Sequence, residues 1–256
     1  MSLELYRKII EYKFNRKKMI HKDIPFFEKE FSKNASNYHR YNIIQKQVAK
    51  ELLTLVENRP SNILDLGCGS GEIYKLIDWE IKSFTAVDIS KQMCELHPSG
   101  KNIKVINADY EKETVFWDLK KRKYDMVISS SSLQWSKDLD AMVKKISNLC
   151  NECAVSVFCK GTFKTVYKES GLESFLPEYK EAVKIFERYF DIKYQIKSYK
   201  LFFPDNISKF RYIKKSGVSG GRRKLNYKQT KDLIRNYPLE YLEFEVLYVK
   251  GLVLKS

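Results

Sequence analysis

Long apolar runs are absent from this sequence of 256 residues. No stretch approaches the ~20 consecutive apolar residues that a membrane span needs, so we expect no transmembrane helix and no contact with a membrane. The N-terminal residues are charged throughout and lack the apolar segment of a secretory signal. Together these absences favour a cytoplasmic protein.

Cysteine is scarce as well, because the chain has only five, an odd number. We expect reduced thiols, since the cysteines fall in predicted core segments. Cys150-x-x-Cys153 is half of a zinc or redox pattern, but no second pair completes it. The sequence therefore predicts no metal site. The five cysteines are Cys68, Cys94, Cys150, Cys153 and Cys159.

Acidic residues are fewer than basic ones, 32 against 47, which gives a net charge of +15. A basic surface favours an acidic partner, either nucleic acid or an acidic carrier protein. A lysine-rich, solvated surface explains the same numbers. Hydrophobic residues make up 43% of the chain, so disorder is not expected. The length suits one α/β domain with insertions.

A short apolar segment, 63–66, is followed by three glycines at alternate positions, Gly67, Gly69 and Gly71. The segment predicts a buried strand, and residues 72–77 predict a helix. Glycine permits a sharp turn between them and lets a ligand approach the backbone closely. Strand, turn and helix start together form a binding edge for a small polar ligand.

The spacing of these glycines narrows the choice of ligand. A dinucleotide site has the pattern G-x-G-x-x-G, whereas this turn is G-x-G-x-G and is preceded by Asp65. An acid beside the turn would repel a phosphate and suit a cationic amine. Asp88 ends the next predicted strand, 88 − 65 = 23 residues later, where an acid commonly hydrogen-bonds ribose hydroxyls. A ligand with an amine and a ribose but no phosphate matches S-adenosyl-L-methionine.

Two more elements follow in the chain, namely Asp109 after a predicted strand at 103–106 and the loop 129–135 after a predicted strand at 124–128. The four elements in this order resemble the class I S-adenosylmethionine-dependent methyltransferases. The resemblance implies an α/β fold, with a Rossmann-like seven-stranded, mostly parallel sheet, an antiparallel last strand and helical lid insertions. It places Asp109 near the adenine amine, and Ile89 and Met93 would give the adenine apolar contact. The expected cofactor-binding residues are Asp65, Gly67, Cys68, Gly69, Gly71, Asp88, Ile89, Met93, Asp109, Tyr110, Ser129 and Gln134.

Hydrophobic periodicity predicts the remaining elements. The predicted strands are 63–66, 84–88, 103–106, 124–128 and 154–158, with a closing antiparallel hairpin from 192–203 and 241–249. The predicted longer helices are 43–56, 136–149, 179–190 and 207–215.

Three stretches are similar to the BioC family, whose members methylate the free carboxyl of malonyl-acyl carrier protein at the start of biotin synthesis. In that family an entry segment folds over the active site, and the resemblance places Tyr38 against cofactor and substrate. Trp135 is the second aromatic residue expected at the catalytic site. The matching residues are Phe31, Ser32, Ala35, Tyr38 and Gln45, then Leu133, Gln134 and Trp135, and finally Gly161, Thr162 and Lys164.

The sequence departs from the BioC pattern at three positions. His39 stands for the usual Asp, Ser130 for the usual Asn, and Tyr167 for an arginine that would pair with the malonyl carboxylate. The lysines that could replace this arginine are Lys160, Lys164 and Lys168.

The expected organisation is one methyltransferase domain over residues 1–256. Its parts are a lid (1–45), a cofactor-binding core (46–160) and substrate-side insertions (161–182 and 204–235). The expected partner is an acidic acyl carrier protein that carries malonyl, or malonyl-CoA. The basic residues 214–215 and 222–224 form either a carrier docking patch or a solvated loop. Alternatives are methylation of another small acid or of tRNA, and cofactor binding without turnover; nucleic acid is the less favoured partner.

Overall fold

The computed structural model describes residues 42–216 and 225–254. Most of the predicted lid, including Phe31 and Tyr38, lies outside these residues, as do residues 222–224 of the basic cluster. The interpretations of those segments therefore stay predictions. No helix within the described ranges is long and apolar enough to cross a membrane.

Seven strands form one sheet in the order β3-β2-β1-β4-β5-β7-β6. Strands β1 to β5 run parallel, and β7 pairs with β5 in the antiparallel direction from Phe158↔Val246 to Glu152↔Leu252. This confirms the predicted α/β class with a mostly parallel sheet. The strands are β1 Asn62–Leu66, β2 Ser83–Asp88, β3 Ile103–Asn107, β4 Tyr124–Ser130, β5 Cys150–Phe158, β6 Phe190–Phe202 and β7 Tyr241–Val253.

The strand order reverses beside β1, because the chain continues to β2 on one side of it and returns as β4 on the other. A crevice forms outside the carboxyl ends of the strands at such a point, and ligands of open α/β sheets bind there. The glycine turn predicted from the sequence follows β1 at this position.

Nine helices are described within residues 42–216 and 225–254. They are α1 Ile43–Leu53, α2 Glu72–Leu76, α3 Lys91–Leu96, α4 Glu113–Lys120, α5 Leu139–Ser147, α6 Lys164–Ser170, α7 Tyr179–Glu187, α8 Asn206–Lys215 and α9 Tyr227–Asn236. Helices α3, α6 and α9 are absent from the sequence-based expectation. Helix α5 begins three residues later than expected, because Asp138 caps it by accepting a hydrogen bond from the Ala141 amide at 3.0 Å.

The main apolar core lies on one face of the sheet. Alternate strand residues point to the same face, and Leu64, Leu66 and Val127 pack there against α4, α5 and α7. These helices contribute a continuous set of buried side chains, namely Phe116, Leu119, Met142, Val143, Ile146, Ala182, Val183 and Phe186. Burying each large apolar side chain contributes about 1.5–3 kcal/mol. The carboxyl strand ends are therefore carried on a rigid scaffold.

The chain divides into two compact units. The described part of the first unit comprises residues 42–159, 177–197 and 246–254. The second comprises 160–176, 198–216 and 225–245, and the two predicted substrate-side insertions fall mainly within it.

The second unit has its own aromatic centre. The Phe244 ring lies 5.1 Å from the ring of Phe163 and 6.2 Å from that of Tyr212, both in edge-to-face geometry. The Glu243 carboxylate accepts hydrogen bonds from the hydroxyls of Thr165 and Tyr237. One side chain of β7 thus joins α6 to the segment that follows α9.

Candidate cofactor site

The glycine turn after β1 requires glycine for a backbone reason. Gly67, Gly69 and Gly71 have φ of +75°, +52° and +83°, in the left-handed region that other residues seldom adopt. The Gly67 amide donates to the carbonyl oxygen of Val87 at 2.8 Å, and the Gly71 amide donates to that of Cys68 at 2.9 Å. The turn is therefore fixed to the end of β2 by the chain's own hydrogen bonds.

The three glycines differ in what surrounds them. A Cβ at Gly67 would collide with the side chain of Ser132, and one at Gly71 would lie 2.8 Å from Cδ2 of His97. A Cβ at Gly69 would meet no atom within 4 Å in the described residues. Gly69 is thus the position at which the turn opens, and a ligand could approach its backbone closely.

Asp88 connects the glycine turn to the next helix. Its Oδ2 accepts a hydrogen bond from the Gly69 amide at 2.8 Å, and its Oδ1 accepts one from the Ser90 amide, also at 2.8 Å. Burial raises the pKa of Asp88 above its usual range, while the two amide donors oppose this rise. The carboxylate is held in place beside the open part of the turn, with lone pairs left for hydroxyl donors.

Asp65 is the most unusual group at this edge of the sheet. Its side chain is 0% exposed, and neither carboxylate oxygen has a hydrogen-bond partner among the described residues. Burial, and secondly the charge of Asp88, raise its pKa well above the usual range. A buried carboxylate is stable only when it is paired or protonated. An unpartnered, buried carboxyl at this edge of the sheet fits a cationic ligand group such as the amine of S-adenosylmethionine.

The carboxyl ends of β2 and β3 complete one side of the site. Met93 of α3 is 2% exposed and so is buried, whereas Ile89 and Asp109 are only partly buried. The Asp109 Oδ1 accepts a hydrogen bond from the Glu111 amide at 2.9 Å. Asn107 donates to the carbonyl oxygens of Asp88 and Ile89 at 3.1 and 2.9 Å and so fixes the peptide after β2.

The loop after β4 carries the predicted Ser129, Gln134 and Trp135. The Ser129 hydroxyl donates to the carbonyl oxygen of Leu66 at 2.7 Å, so its proton is committed to joining β4 to β1. Gln134 donates to the carbonyl oxygen of Ser131 at 2.7 Å, and its buried Oε1 has no partner among the described residues. Trp135 is partly buried, in a single 3₁₀ turn, Leu133–Trp135.

The segment after β5 is bound to β7 by hydrogen bonds of Gly161 and Thr162. The Thr162 hydroxyl exchanges hydrogen bonds with the backbone of Glu245, at 3.1 Å to the carbonyl oxygen and 3.0 Å from the amide. The Gly161 amide donates to Glu245 Oε1 at 3.1 Å. Both residues therefore fasten the segment to β7 within the second unit. Lys164 is exposed, and burial raises the pKa of Tyr167 to about 12.

The structure brings together most of the predicted site. Asp65 and Asp88 lie at the carboxyl ends of β1 and β2. The three glycines and the predicted residues after β3 and β4 follow the carboxyl ends of the same set of neighbouring parallel strands. Sequence reasoning missed Asn107 and Ser132. The available signal for Asn107 was its place at the end of β3, directly opposite Asp88 in the register. Ser132 left no signal, because its partner Gly67 is distant in the chain.

The thiols belong to no metal-binding cluster among the described residues. No group of three or more His, Cys, Asp or Glu side chains that could hold a metal is present in residues 42–216 and 225–254. The five cysteines, all within these ranges, form no disulfide. Burial raises the pKa of the Cys150 thiol to about 12, which makes it unreactive at neutral pH.

Comparison with known proteins adds to this geometry. A family model described as "Methyltransferase domain" matches residues 63–152. The malonyl-[acyl-carrier protein] O-methyltransferase of Acetivibrio thermocellus is 31% identical over 267 residues, covering 90% of this chain and 90% of the relative. A protein of the same name from Priestia megaterium is 29% identical over 161 residues, covering 58% and 56% of the two chains.

Solved structures show the same fold. The YcgJ protein of Bacillus subtilis aligns with a TM-score of 0.57 and 11% identity, covering 81% of this chain and 99% of that protein. A SAM-dependent methyltransferase of Thermotoga maritima aligns with a TM-score of 0.54 and 13% identity, covering 88% and 99%. The cofactor is S-adenosylmethionine. The chain belongs to the family of malonyl-[acyl-carrier protein] O-methyltransferases, within the class I S-adenosylmethionine-dependent methyltransferases.

Proposed function

We propose that this enzyme transfers a methyl group to the free carboxyl of malonyl on an acyl carrier protein, as an early step of biotin synthesis. The observation that carries the proposal is the Acetivibrio thermocellus relative, which matches over 90% of both chains and bears that name. The net charge of +15 supports an acidic carrier as the partner. The methyl ester would hide the malonyl charge, so that enzymes of the fatty-acid type accept the chain.

The proposed cofactor contacts follow from the polar groups that the site leaves available. Asp65 pairs with the cationic amine, because its buried carboxylate has no other partner among the described residues. Asp88 accepts from the ribose hydroxyls while it keeps its bonds to the amides of Gly69 and Ser90. The open backbone at Gly69 admits the ligand. The remaining proposed contacts are Gly67, Cys68, Gly71, Ile89, Met93, Asp109, Tyr110, Ser129 and Gln134.

The chemistry requires little from acid–base groups. When bound, the cofactor supplies a methyl group carried on a sulfonium. A carboxylate acceptor has an ordinary pKa of about 4 and is already ionised at neutral pH, so no general base is needed. The protein must place the acceptor oxygen in line with the methyl group, and such positioning can supply much of the rate. The negative carboxylate and the positive sulfonium become a neutral ester and a neutral thioether, so a pocket that excludes water favours the reaction. Trp135, and Tyr38 from the lid, are the proposed aromatic walls.

Recognition of the malonyl carboxylate falls to a lysine in this proposal. Tyr167 occupies the position of the usual arginine, and its hydroxyl stays neutral because its pKa is raised to about 12. Lys164 and Lys168 lie one helical turn apart on α6, and both are exposed. A flexible, hydrated ammonium grips a carboxylate less tightly than an arginine fork, and this leaves the oxygen more nucleophilic.

The test uses S-adenosylmethionine labelled in the methyl group. We expect labelling of malonyl-carrier, weaker labelling of succinyl-carrier and none of acetyl-carrier, which lacks a free carboxyl. Lys164→Met should raise KM for the malonyl-carrier, whereas Lys180→Met, a matched change of an exposed lysine on α7, should not. Equal labelling of acetyl- and malonyl-carrier would contradict the proposal. Labelling of tRNA instead, with binding that weakens steeply with salt, would assign a nucleic-acid substrate.

A further inference from the structure

The loop after β4 is fixed at its base to β5. Ser131 adopts the left-handed conformation, with φ of +58°. Its amide donates to the carbonyl oxygen of Ser156 at 3.0 Å and lies 3.2 Å from the Oγ of the same residue. A residue other than glycine keeps this conformation only where its surroundings hold it there. The direction in which the chain leaves β4 is therefore set by β5.

Ser132, the next residue, covers the first glycine of the cofactor turn. Its Oγ and Cβ occupy the space that a Cβ at Gly67 would need. The close approach explains why position 67 needs a residue without a side chain, in addition to its φ of +75°. Any displacement of Ser132 would alter the packing over this part of the turn.

Tyr110, which follows β3, also contacts Ser132. Its hydroxyl lies 2.9 Å from Ser132 Oγ and 3.5 Å from the carbonyl oxygen of the same residue. Tyr110 follows β3, and its ring packs against the main apolar core. Burial raises the pKa of the Tyr110 hydroxyl, so it stays protonated and available as a donor at any working pH.

We propose that Tyr110 and Ser132 are a positioning pair that sets the glycine turn for the cofactor by joining the ends of β1, β3 and β4. The inference rests on the cofactor site proposed above and changes the role of Tyr110 within it. Tyr110 acts through Ser132, because its hydroxyl is already bonded there. The same pair orients the following turn, since the Trp135 amide donates to the carbonyl oxygen of Ser132 at 3.1 Å.

The experiment measures binding of S-adenosylhomocysteine by calorimetry, so it does not depend on the identity of the acceptor. Tyr110→Phe keeps the ring and removes one hydroxyl. We expect it to weaken binding about three- to tenfold, the value of one hydrogen bond. Ser132→Ala should weaken binding by a similar factor. The double variant should bind no more weakly than the single variant with the lower affinity, because each single substitution removes the same interaction.

Tyr124→Phe is the matched control. Tyr124 is 2% exposed and begins β4, at the opposite end of that strand from the loop. The variant also loses one buried hydroxyl, and its affinity for S-adenosylhomocysteine should equal that of the wild type. Hydrogen exchange of residues 129–136 in the bound protein should be faster in Tyr110→Phe and unchanged in Tyr124→Phe.

Three results would overturn the inference in distinguishable ways. If the wild-type chain binds S-adenosylhomocysteine but Tyr110→Phe loses only unfolding free energy, with affinity and exchange unchanged, Tyr110 is a packing residue. Effects of Tyr110→Phe and Ser132→Ala that add independently in the double variant would equally show that the two residues do not act as a pair. If the wild-type chain itself does not bind S-adenosylhomocysteine, the proposed cofactor site is wrong, and the positioning role fails with it.

Discussion

Asp65→Asn should make the ligand-free enzyme more stable and a worse binder. The wild-type carboxylate is buried and has no partner among the described residues, and its pKa is raised because folding penalises the charged form. The amide is neutral, so it removes the charge from this space while its own polar atoms stay buried there. Removing a buried, unpaired charge is worth about 1–3 kcal/mol. At about 2–4 °C of Tm per kcal/mol for a chain of this size, Tm should rise by roughly 2–12 °C.

The same change removes the charge that we propose for the cofactor amine. A hydrogen bond to a charged group is worth about 1.5–3 kcal/mol, so binding should weaken roughly 10- to 150-fold. The raised pKa adds a dependence on pH. Wild-type affinity should increase as pH rises through the raised pKa of Asp65, because only the ionised form attracts the amine. This component should vanish in Asp65→Asn.

The assay combines urea unfolding of the ligand-free protein with calorimetric titration of S-adenosylhomocysteine. Asp125→Asn is the matched control, because its carboxylate accepts hydrogen bonds from the amides of Ser61 and Asn62 at 3.0 and 2.8 Å. These bonds lower its pKa against the effect of burial, so the control should lose stability and keep its affinity. An Asp65→Asn protein that is less stable than wild type and binds equally well would refute the reasoning.

Three further predictions concern other parts of the chain. Gly69→Ala should lose about 1–2 kcal/mol of stability, the cost of a left-handed residue other than glycine, and should bind S-adenosylhomocysteine at least about tenfold more weakly. The control is Gly171→Ala, because Gly171 has φ of +64° and no atom of the described residues lies within 4 Å of its Cβ position. This control should lose similar stability and keep full affinity. Burial lowers the pKa of His97 in the folded protein, so this residue binds a proton more readily in the unfolded protein. The stability present above pH ~6.5 should therefore be lost as pH falls towards the folded pKa. Urea midpoints should decline less steeply with falling pH in His97→Asn. Thr162→Val should lower the free energy of unfolding by about 1–3 kcal/mol, measured by thermal unfolding, because it removes both hydrogen bonds to the Glu245 backbone. The control Thr114→Val, at an exposed position, should change the free energy of unfolding little.

The parts of the site that the sequence predicts are those fixed by local geometry. Alternate glycines after an apolar run dictate the turn at residues 67–71, and Asp65 and Asp88 follow from their positions at strand ends. The class I resemblance implies a seven-stranded, mostly parallel sheet with an antiparallel last strand, and the observed sheet confirms this. The turn and the two acids depend on the residues near them in the chain, so a single sequence shows them.

The features that sequence reasoning missed depend on pairing across the chain. Asn107 acquires its role only through the register Asp88↔Asn107, and Ser132 only by packing on Gly67. Strand β5 begins at Cys150, earlier than predicted, because its polar first residues pair with β4 and the Glu152 carboxylate forms an ion pair with Lys250 of β7. Such long-range pairs override the local lack of hydrophobicity.

The hydrogen bonds of the Glu243 carboxylate bear on how the second unit unfolds. Its carboxylate receives hydroxyl groups from residues 78 positions before it and 6 positions before it, so segments remote in sequence depend on the same few atoms. Unfolding of α6 or of the segment after α9 would each remove one of these two hydroxyl partners, so we expect the two segments to unfold together.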